Sequence, residues 1–331
     1  MHAPDRDPLI VVMPVMDDWA SVRLLLPELD RQLAGERNVH VLCVDDGSET
    51  EPAELVTSGL TNIERVDVLR LARNLGHQRA IACALCHVAT TTPHRALVVM
   101  DSDGEDAPAD VPRLLSRFAQ ENGAAAVFAK RIRRSEGPIF SLFYWLYRQI
   151  HYLLTGIRVQ VGNFSVIPPQ AVRRLITMSE LWNHYAAAVF RSRTRLAFVP
   201  TSRSVRLVGR SRMGFVSLVA HGMGAMSVFA DRIGVRLLAA SALAGVILVL
   251  TFMVVAIVKF FTTAAIPGWA TTAAGVIVIL LVQTSSLALI FAFMIQHARS
   301  GGDFIPIRDY VHFVARITCC WERDGSHLLS R

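Results

Sequence analysis

The sequence predicts a parallel α/β domain followed by a two-helix transmembrane hairpin, and three observations carry that prediction. From Leu9 to about Arg203, short β-branched runs alternate with helical stretches, the sign of a parallel sheet joined by crossover helices. Three of the runs end in polar clusters, Asp45-Asp46, Arg73-Asn74 and Asp101-Ser102-Asp103, and open sheets of this kind bind ligands beyond the carboxyl ends of their strands. After Arg236 the charge disappears: residues 237–258 hold no Asp, Glu, Lys or Arg, and after Lys259 none recurs until Arg299.

The strands are expected at LIVVMPV (9–15), VHVLCVDD (39–46), VDVLRLA (66–72), RALVVMDSD (95–103), AAAVFAKR (124–131) and LAFVP (196–200), with helices near 18–34, 76–90, 110–121 and 180–193. The stretch IFSLFYWLYRQIHYLL (139–154) carries Phe140, Phe143, Tyr144, Trp145, Tyr147 and Tyr152 beside Arg148 and His151. It is too short to span a bilayer and suits either a helix at headgroup level or an ordinary core helix. The uncharged run 237–258 and a second stretch after Pro267-Gly268 each have the length of a membrane span. Two such stretches side by side are rare in a soluble helical hairpin.

Arg203, Arg206, Arg210, Arg212, Arg232 and Arg236 precede the first span, and Arg299 and Arg308 follow the second. The positive-inside rule therefore expects both termini in the cytosol. The resulting layout is a cytosolic catalytic domain over 1–203, a juxtamembrane amphipathic segment over 204–235, two transmembrane helices over 236–296, and a cytosolic tail over 297–331.

Composition agrees. The chain has 331 residues, 52% of them hydrophobic, with 34 basic against 27 acidic side chains and a formal charge of +7, too apolar for a purely soluble enzyme. The start, MHAPDRDPLIVVMPV, lacks the layout of a cleaved leader, so this part is expected to stay in the cytosol. The basic excess suits anionic lipid or a phosphorylated substrate. A nucleic-acid partner is not expected, because the arginines lie beside the spans and no nucleic-acid-binding motif is present. Cys43, Cys83, Cys86, Cys319 and Cys320 form no disulfide framework. Cys83 and Cys86 lie in an apolar helical run and read as core rather than as a metal or redox pair.

VVMDSDGEDAP (98–108) places Asp101, Asp103, Glu105 and Asp106 directly after an apolar strand. Asp101 and Asp103 can turn toward one point if the chain bends at Gly104. Crowded carboxylates raise one another's pKa unless a cation joins them, and Mg²⁺ or Mn²⁺ prefers such oxygen donors together with substrate phosphates. Asp45 and Asp46 offer acceptors for a ribose or base, or form a turn with Ser48. Arg73 and Asn74, with Gly76 before a helix start, offer donors for phosphate or a simple cap. Lys130, Arg131, Arg133 and Arg134, then Arg206, Arg210 and Arg212, supply charge for phosphates or contacts to headgroups.

MPVMDD (13–18), VDDGS (44–48), RNLGH (73–77), MDSDGEDAP (100–108), AKR (129–131), GNFSVIP (162–168) and RLVGRSRM (206–213) stand in the order and spacing of the family-2 glycosyltransferases that charge polyprenyl phosphate, such as dolichol-phosphate mannose synthases and bactoprenol glucosyltransferases. The resemblance covers essentially the whole chain. It implies a GT-A, Rossmann-like nucleotide-diphosphosugar transferase fold. By this resemblance Pro14, Asp18 and Asp45 or Asp46 would hold the nucleoside, Asp101 and Asp103 the diphosphate and its Mg²⁺ or Mn²⁺, and Arg131 the reacting phosphates. Arg134, Arg206, Arg210 and Arg212 are expected at the acceptor phosphate.

Some positions depart from the family pattern: Met16 replaces a common tyrosine, Asp18 a glutamate, Gly104-Glu105-Asp106 a leucine-glutamine-aspartate, and Asn163 an aspartate proposed as a base. An amide cannot take a proton. The implied reaction is metal-dependent, inverting transfer of a sugar from a nucleotide-diphosphosugar to undecaprenyl or dolichyl phosphate at the cytosolic face of the inner membrane, with assembly into homo-oligomers through the hairpin compatible with the sequence. The alternatives are a hydroxyl-directed polysaccharide transferase, which needs a general base and usually more spans, and a scaffold that has lost catalysis. Glu105 and Asp106 fit several roles: a contact behind the metal, a sugar contact, or the acid that Asn163 does not supply.

Overall fold

The structure, a computed structural model, describes residues 7–52, 55, 59–131, 138–157, 161–202, 204–209, 222–262, 268–300 and 304–323, with backbone alone at Arg131, 138–144, 147 and 297–300. The chain divides into two compact units, one of Met1–Leu142, Val159–Val228 and Phe304–Arg331, the other of Phe143–Arg158 and Phe229–Asp303.

The first unit is built on an eight-stranded sheet. Its strands are β1 (Leu9–Val15), β2 (Val39–Asp45), β3 (Ile63–Leu71), β4 (Ala96–Val99), β5 (Ala126–Arg131), β6 (Ser165–Ile167), β7 (Leu196–Thr201) and β8 (Val314–Glu322), in the order β7-β5-β6-β4-β1-β2-β3-β8. β1 to β4 are mutually parallel, β7 runs parallel to β5, and β6 and β8 are antiparallel to their neighbours. Alternation along β1 shows why. Leu9, Val11, Met13 and Val15 enter one buried cluster with Val22, Leu25, Leu26 and Leu29 of α1 (Trp19–Gln32) and Leu114 of α3 (Val111–Gln120). Ile10 and Val12 enter another with Ile81, Leu85 and Val88 of α2 (His77–Thr91). A period-two strand with both faces apolar has to be covered on both sides. Cys83 and Cys86 lie in α2 with no exposure, and burial pushes the Cys83 thiol up to about 12, so they pack the core as expected.

Three elements differ from the sequence reading. The strand expected over 95–103 leaves the ladder after Val99, so Asp101–Asp103 stand in a turn beyond it. The helix expected over 180–193 breaks at His184, whose backbone is extended, between a short 3-10 turn (Ser179–Trp182) and a helix at Tyr185–Arg191. The third correction concerns residues 297–331, expected as a tail: Val314–Glu322 pairs along β3 as the edge strand β8, and Trp321 packs against the core. The short β6 also slots between β4 and β5, antiparallel to both.

The second unit holds most of α4 (Pro138–Thr155) and two 32-residue helices, Ala230–Phe261 and Trp269–Ser300. Over Ala230–Phe261 and Trp269–Gln296 these two are long and apolar enough to cross a membrane, and both are almost wholly exposed. Three of their hydroxyls are satisfied within the helix: Thr251 donates to the Ile247 carbonyl at 2.8 Å, Thr284 to Leu280 at 2.7 Å and Ser286 to Val282 at 2.9 Å, which removes the cost of leaving them unpaired in hydrocarbon. The helices approach closely at Gly234, where a Cβ would lie 2.5 Å from Ile295. Along α4, Trp145, Leu146, Ile150 and Leu153 are exposed, while His151 and Thr155 are buried. Its last carbonyls, at Tyr152 and Leu153, accept from the Arg236 guanidinium.

Candidate active site

The chain passes from β1 to β2 to β3 on one side of β1 and places β4 on its other side. That reversal opens a crevice at the carboxyl ends of β1 and β4, and the loops after β1, β2, β3 and β4 carry most of the residues singled out from the sequence.

Near the end of β1, Pro14 accepts through its carbonyl from Ser102 Oγ at 2.8 Å, tying this strand end to the acidic turn. Asp17, at φ 48°, donates its N–H to Ser48 Oγ at 2.9 Å and accepts from Glu49 N at 2.8 Å. Asp18 begins α1, its carbonyl accepting from Ser21 N and Val22 N and one carboxylate oxygen from Ser21 Oγ.

The carboxylates after β2 hold loops in place. Asp45 is fully buried; Oδ1 accepts from Ser48 N at 2.8 Å, and Oδ2 stands 3.5 Å from Arg70 Nε. This is the turn with Ser48 weighed as one reading of the motif. Asp46 accepts from Leu75 N at 2.7 Å and Gly76 N at 2.9 Å, one on each oxygen. Burial raises its pKa, against the pull of those two bonds. Gly47 is needed for this junction: its φ is +75°, and a Cβ there would lie 2.6 Å from Asn74 N. Arg73 is exposed, and Asn74 Nδ2 donates to Met16 Sδ at 2.9 Å.

The acidic turn separates into two groups. Asp101 N donates to Asp106 Oδ2 at 3.0 Å, and Asp101 Oδ1 lies 3.3 Å from His77 Nε2. In the neutral ring His77 Nε2 accepts from Asn163 Nδ2 at 2.9 Å, and protonation of that nitrogen toward Asp101 requires the Asn163 amide to turn; Asn163 Oδ1 accepts from Gln78 Nε2 at 3.4 Å. Gln78 is oriented by Tyr185, whose backbone N–H donates to Gln78 Oε1 at 2.7 Å. The second group is Asp103, which accepts from Glu105 N at 2.9 Å and from Arg206 Nη1 at 3.0 Å; Arg206 Nη2 reaches Asp18. Burial, then the nearby Asp101 and Glu105 charges, raise the Asp103 pKa despite the Glu105 N–H and Arg206.

The structure thus gathers Pro14, Asp18, Asp101, Asp103, Glu105, Asp106 and Arg206 and brings Asn163 alongside Asp101 through His77. The Arg131 backbone ends β5 opposite Thr201, while its side chain, and Arg134, Arg210 and Arg212 entirely, lie outside the described residues. Sequence reasoning gave no role to His77, although it closes RNLGH, and none to Asp17, Arg70, Gln78 or Tyr185. No local pattern marks Tyr185, which serves through its backbone N–H.

Desolvation pulls the His77 pKa down, but the Asp101 charge and hydrogen bond, with Asp106 and Asp46 behind, raise it overall. A histidine that binds its proton more tightly when folded stabilises the fold below its unfolded pKa, and that contribution is lost as pH rises through the folded pKa. In chelator-treated protein, His77→Gln is expected to lower the melting temperature more at pH 6 than at pH 8.5. An equal loss at both would show that His77 is not protonated against Asp101.

A mostly parallel sheet with an acidic turn beyond β4 at the reversal of strand order defines a nucleotide-sugar transferase of the GT-A class, carried in one chain with two helices of membrane-spanning length. Residues 10–176 match the family described as Glycosyl transferase family 2, and the chain belongs to that family. Over 272 residues it is 24% identical to "Uncharacterized glycosyltransferase YkcC" of Bacillus subtilis, covering 78% of this chain and 80% of that one. It is 30% identical over 115 residues, 33% of each chain, to "Undecaprenyl-phosphate 4-deoxy-4-formamido-L-arabinose transferase" of Pectobacterium carotovorum. Among solved structures it resembles glucosyl-3-phosphoglycerate synthase of Mycobacterium tuberculosis in complex with Mn²⁺, UDP-glucose and phosphoglyceric acid, with TM-score 0.52 and 16% identity over 69% of this chain and 80% of that one. At that identity the likeness concerns the fold.

Proposed function

We propose that this glycosyltransferase moves a sugar, with inversion, from a nucleotide-diphosphosugar to a polyprenyl phosphate, at the cytosolic face of a bacterial inner membrane and with Mg²⁺ or Mn²⁺. The observation that carries the reading is the acidic turn Asp101–Asp106, shielded by Arg206, in a chain that also holds two membrane-length helices. The undecaprenyl-phosphate transferase of Pectobacterium, similar over a third of its length, supports the acceptor, and the Mn²⁺ and UDP-glucose held by the mycobacterial synthase support the donor and cation.

The residues fit a hard divalent cation. Asp101 and Asp103 present carboxylate oxygens from one turn, where a cation would offset the burial of Asp103 and its crowding by Asp101 and Glu105. Among the described residues no three His, Cys, Asp or Glu side chains are grouped to hold a metal, so the proposed cation would take substrate phosphate oxygens beside these carboxylates. Such an ion supplies Lewis acidity to the departing diphosphate.

Asp46 and Gly47 fix the loop at Arg73–Gly76 beside the nucleoside loops, and Arg73 and Asn74 present donors there. Pro14, Asp18 and Asp45 would bound the nucleoside pocket, while Arg131, Arg134, Arg206, Arg210 and Arg212 gather the acceptor phosphate. Asn163 is compatible with this acceptor because a phosphate monoester, with a second pKa of about 6, is largely ionised at neutral pH and needs no base. The test is to incubate the purified full chain with a panel of nucleotide sugars, Mn²⁺ and undecaprenyl phosphate and to weigh the lipid product. A glycosyl-phospholipid is expected. Transfer only to a sugar hydroxyl, or nucleotide binding without turnover, would overturn the reading.

A further inference from the structure

We infer that Arg206 is a resident counter-ion that occupies the cation's share of Asp103 until the donor arrives, so that donor loading exchanges one positive charge for the other. The inference rests on the proposed role of Asp103 as a cation ligand and adds a device to it.

Arg206 is fully committed in the structure. Nη1 donates to Asp103 Oδ2 at 3.0 Å, Nη2 pairs with Asp18 Oδ2, and Nε donates to the Val208 carbonyl at 2.9 Å. The three charged side chains are only 21%, 17% and 12% exposed, so solvent screens their attraction less than at an open surface. The surrounding segment is laid across the acidic turn by two main-chain bonds, Ser204 N to the Glu105 carbonyl and Leu207 N to the Asp103 carbonyl, both 3.0 Å. Leu207 covers Gly104 so closely that a Cβ there would lie 2.5 Å from Leu207 Cγ. Residues 204–208 therefore form a strap across the turn, fastened at both ends and pinned by a guanidinium between two carboxylates.

A divalent cation on Asp103 would meet the guanidinium at the same carboxylate. Like charges at that separation repel in a partly desolvated site, so the cation binds well only when Arg206 moves off. The donor's diphosphate gives the guanidinium a better partner, since its planar fork matches phosphate oxygens, and from there Arg206 is placed between the donor's phosphates and the acceptor phosphate proposed for it above. Cation and diphosphate should then each strengthen the other's binding by one factor, as linkage requires. An arginine that acted on phosphates alone would leave binding of the cation by itself unchanged.

The test measures free Mn²⁺ by electron paramagnetic resonance during titration of the full chain in detergent, with MnCl₂ alone and with inorganic pyrophosphate. Arg206→Gln is expected to bind Mn²⁺ alone about fivefold more tightly, or better, and to lose the same factor of coupling to pyrophosphate. Arg206→Lys, which keeps the charge but not the fork that bridges Asp18 and Asp103, should fall between wild type and Arg206→Gln. Asp18→Asn, which releases the guanidinium from its other anchor without touching the strap, should shift Mn²⁺ affinity in the same direction and serves if Arg206→Gln does not fold. Unchanged or weaker Mn²⁺ binding in the folded variants overturns the counter-ion. Asp103→Asn separates the two ideas: if it leaves wild-type Mn²⁺ binding untouched, the ligand reading itself has failed, whereas loss of binding there with no response to Arg206→Gln leaves the ligand and removes the counter-ion.

Discussion

Asp103→Asn is expected to lower sugar transfer by about two orders of magnitude or more while the protein stays folded. The amide keeps a carbonyl oxygen that can accept from Glu105 N, so the turn persists. It also removes a charge whose burial is unfavourable, as the raised Asp103 pKa indicates. What it cannot do is bind a hard cation as a carboxylate does. Asp101→Asn should lose activity to a similar degree and, unlike Asp103→Asn, should also disturb the His77 contact. Steady-state transfer at saturating Mn²⁺, with melting curves alongside, checks both. Full activity in either variant would remove that carboxylate from the catalytic role.

A chain cut before Ala230 is expected to be insoluble, although it drops only the end of the juxtamembrane segment and the segments that sequence assigns to membrane and tail. Residues 304–323 belong to the first unit. β8 covers the open edge of β3 from Arg65 to Leu71, Trp321 packs against the core, and the Tyr310 hydroxyl lies 2.9 Å from Thr90 Oγ1. Phe304 and Phe313 lie 4.5 and 5.1 Å, ring to ring, from Trp182. Removing them bares a long strand edge and several aromatic contacts at once, the conditions for aggregation. A variant that replaces residues 229–303 with a flexible glycine-serine linker but keeps 304–323 should instead be soluble and melt cooperatively. Equal soluble yield from the two variants would show that β8 is dispensable.

Much of the first unit was legible. β1 falls on the residues expected, and β2, β5 and β7 lie within a residue or two of expectation, because an apolar run leaves a local signal both where the two faces are buried, as in β1, and where one face is exposed, as in β7. The motif residues followed from the same signal, since polar side chains directly after such runs sit at the sheet's binding edge. β6 is three residues long and β8 is largely exposed, so neither carries a strong pattern. His184 breaks the helix expected over 180–193 without a proline or glycine to announce it.

The sequence by itself determined the alternation of strand and helix, the acidic cluster at the end of the fourth apolar run and the two uncharged stretches, because each is written in the hydropathy and charge of neighbouring residues. Tertiary structure decided which of those residues meet. It set Arg206 between Asp18 and Asp103 across separations of 188 and 103 residues, set His77 between Asp101 and Asn163, and returned the chain after the hairpin to the edge of β3. Those contacts depend on strand order and loop path, and a one-dimensional pattern holds no record of either.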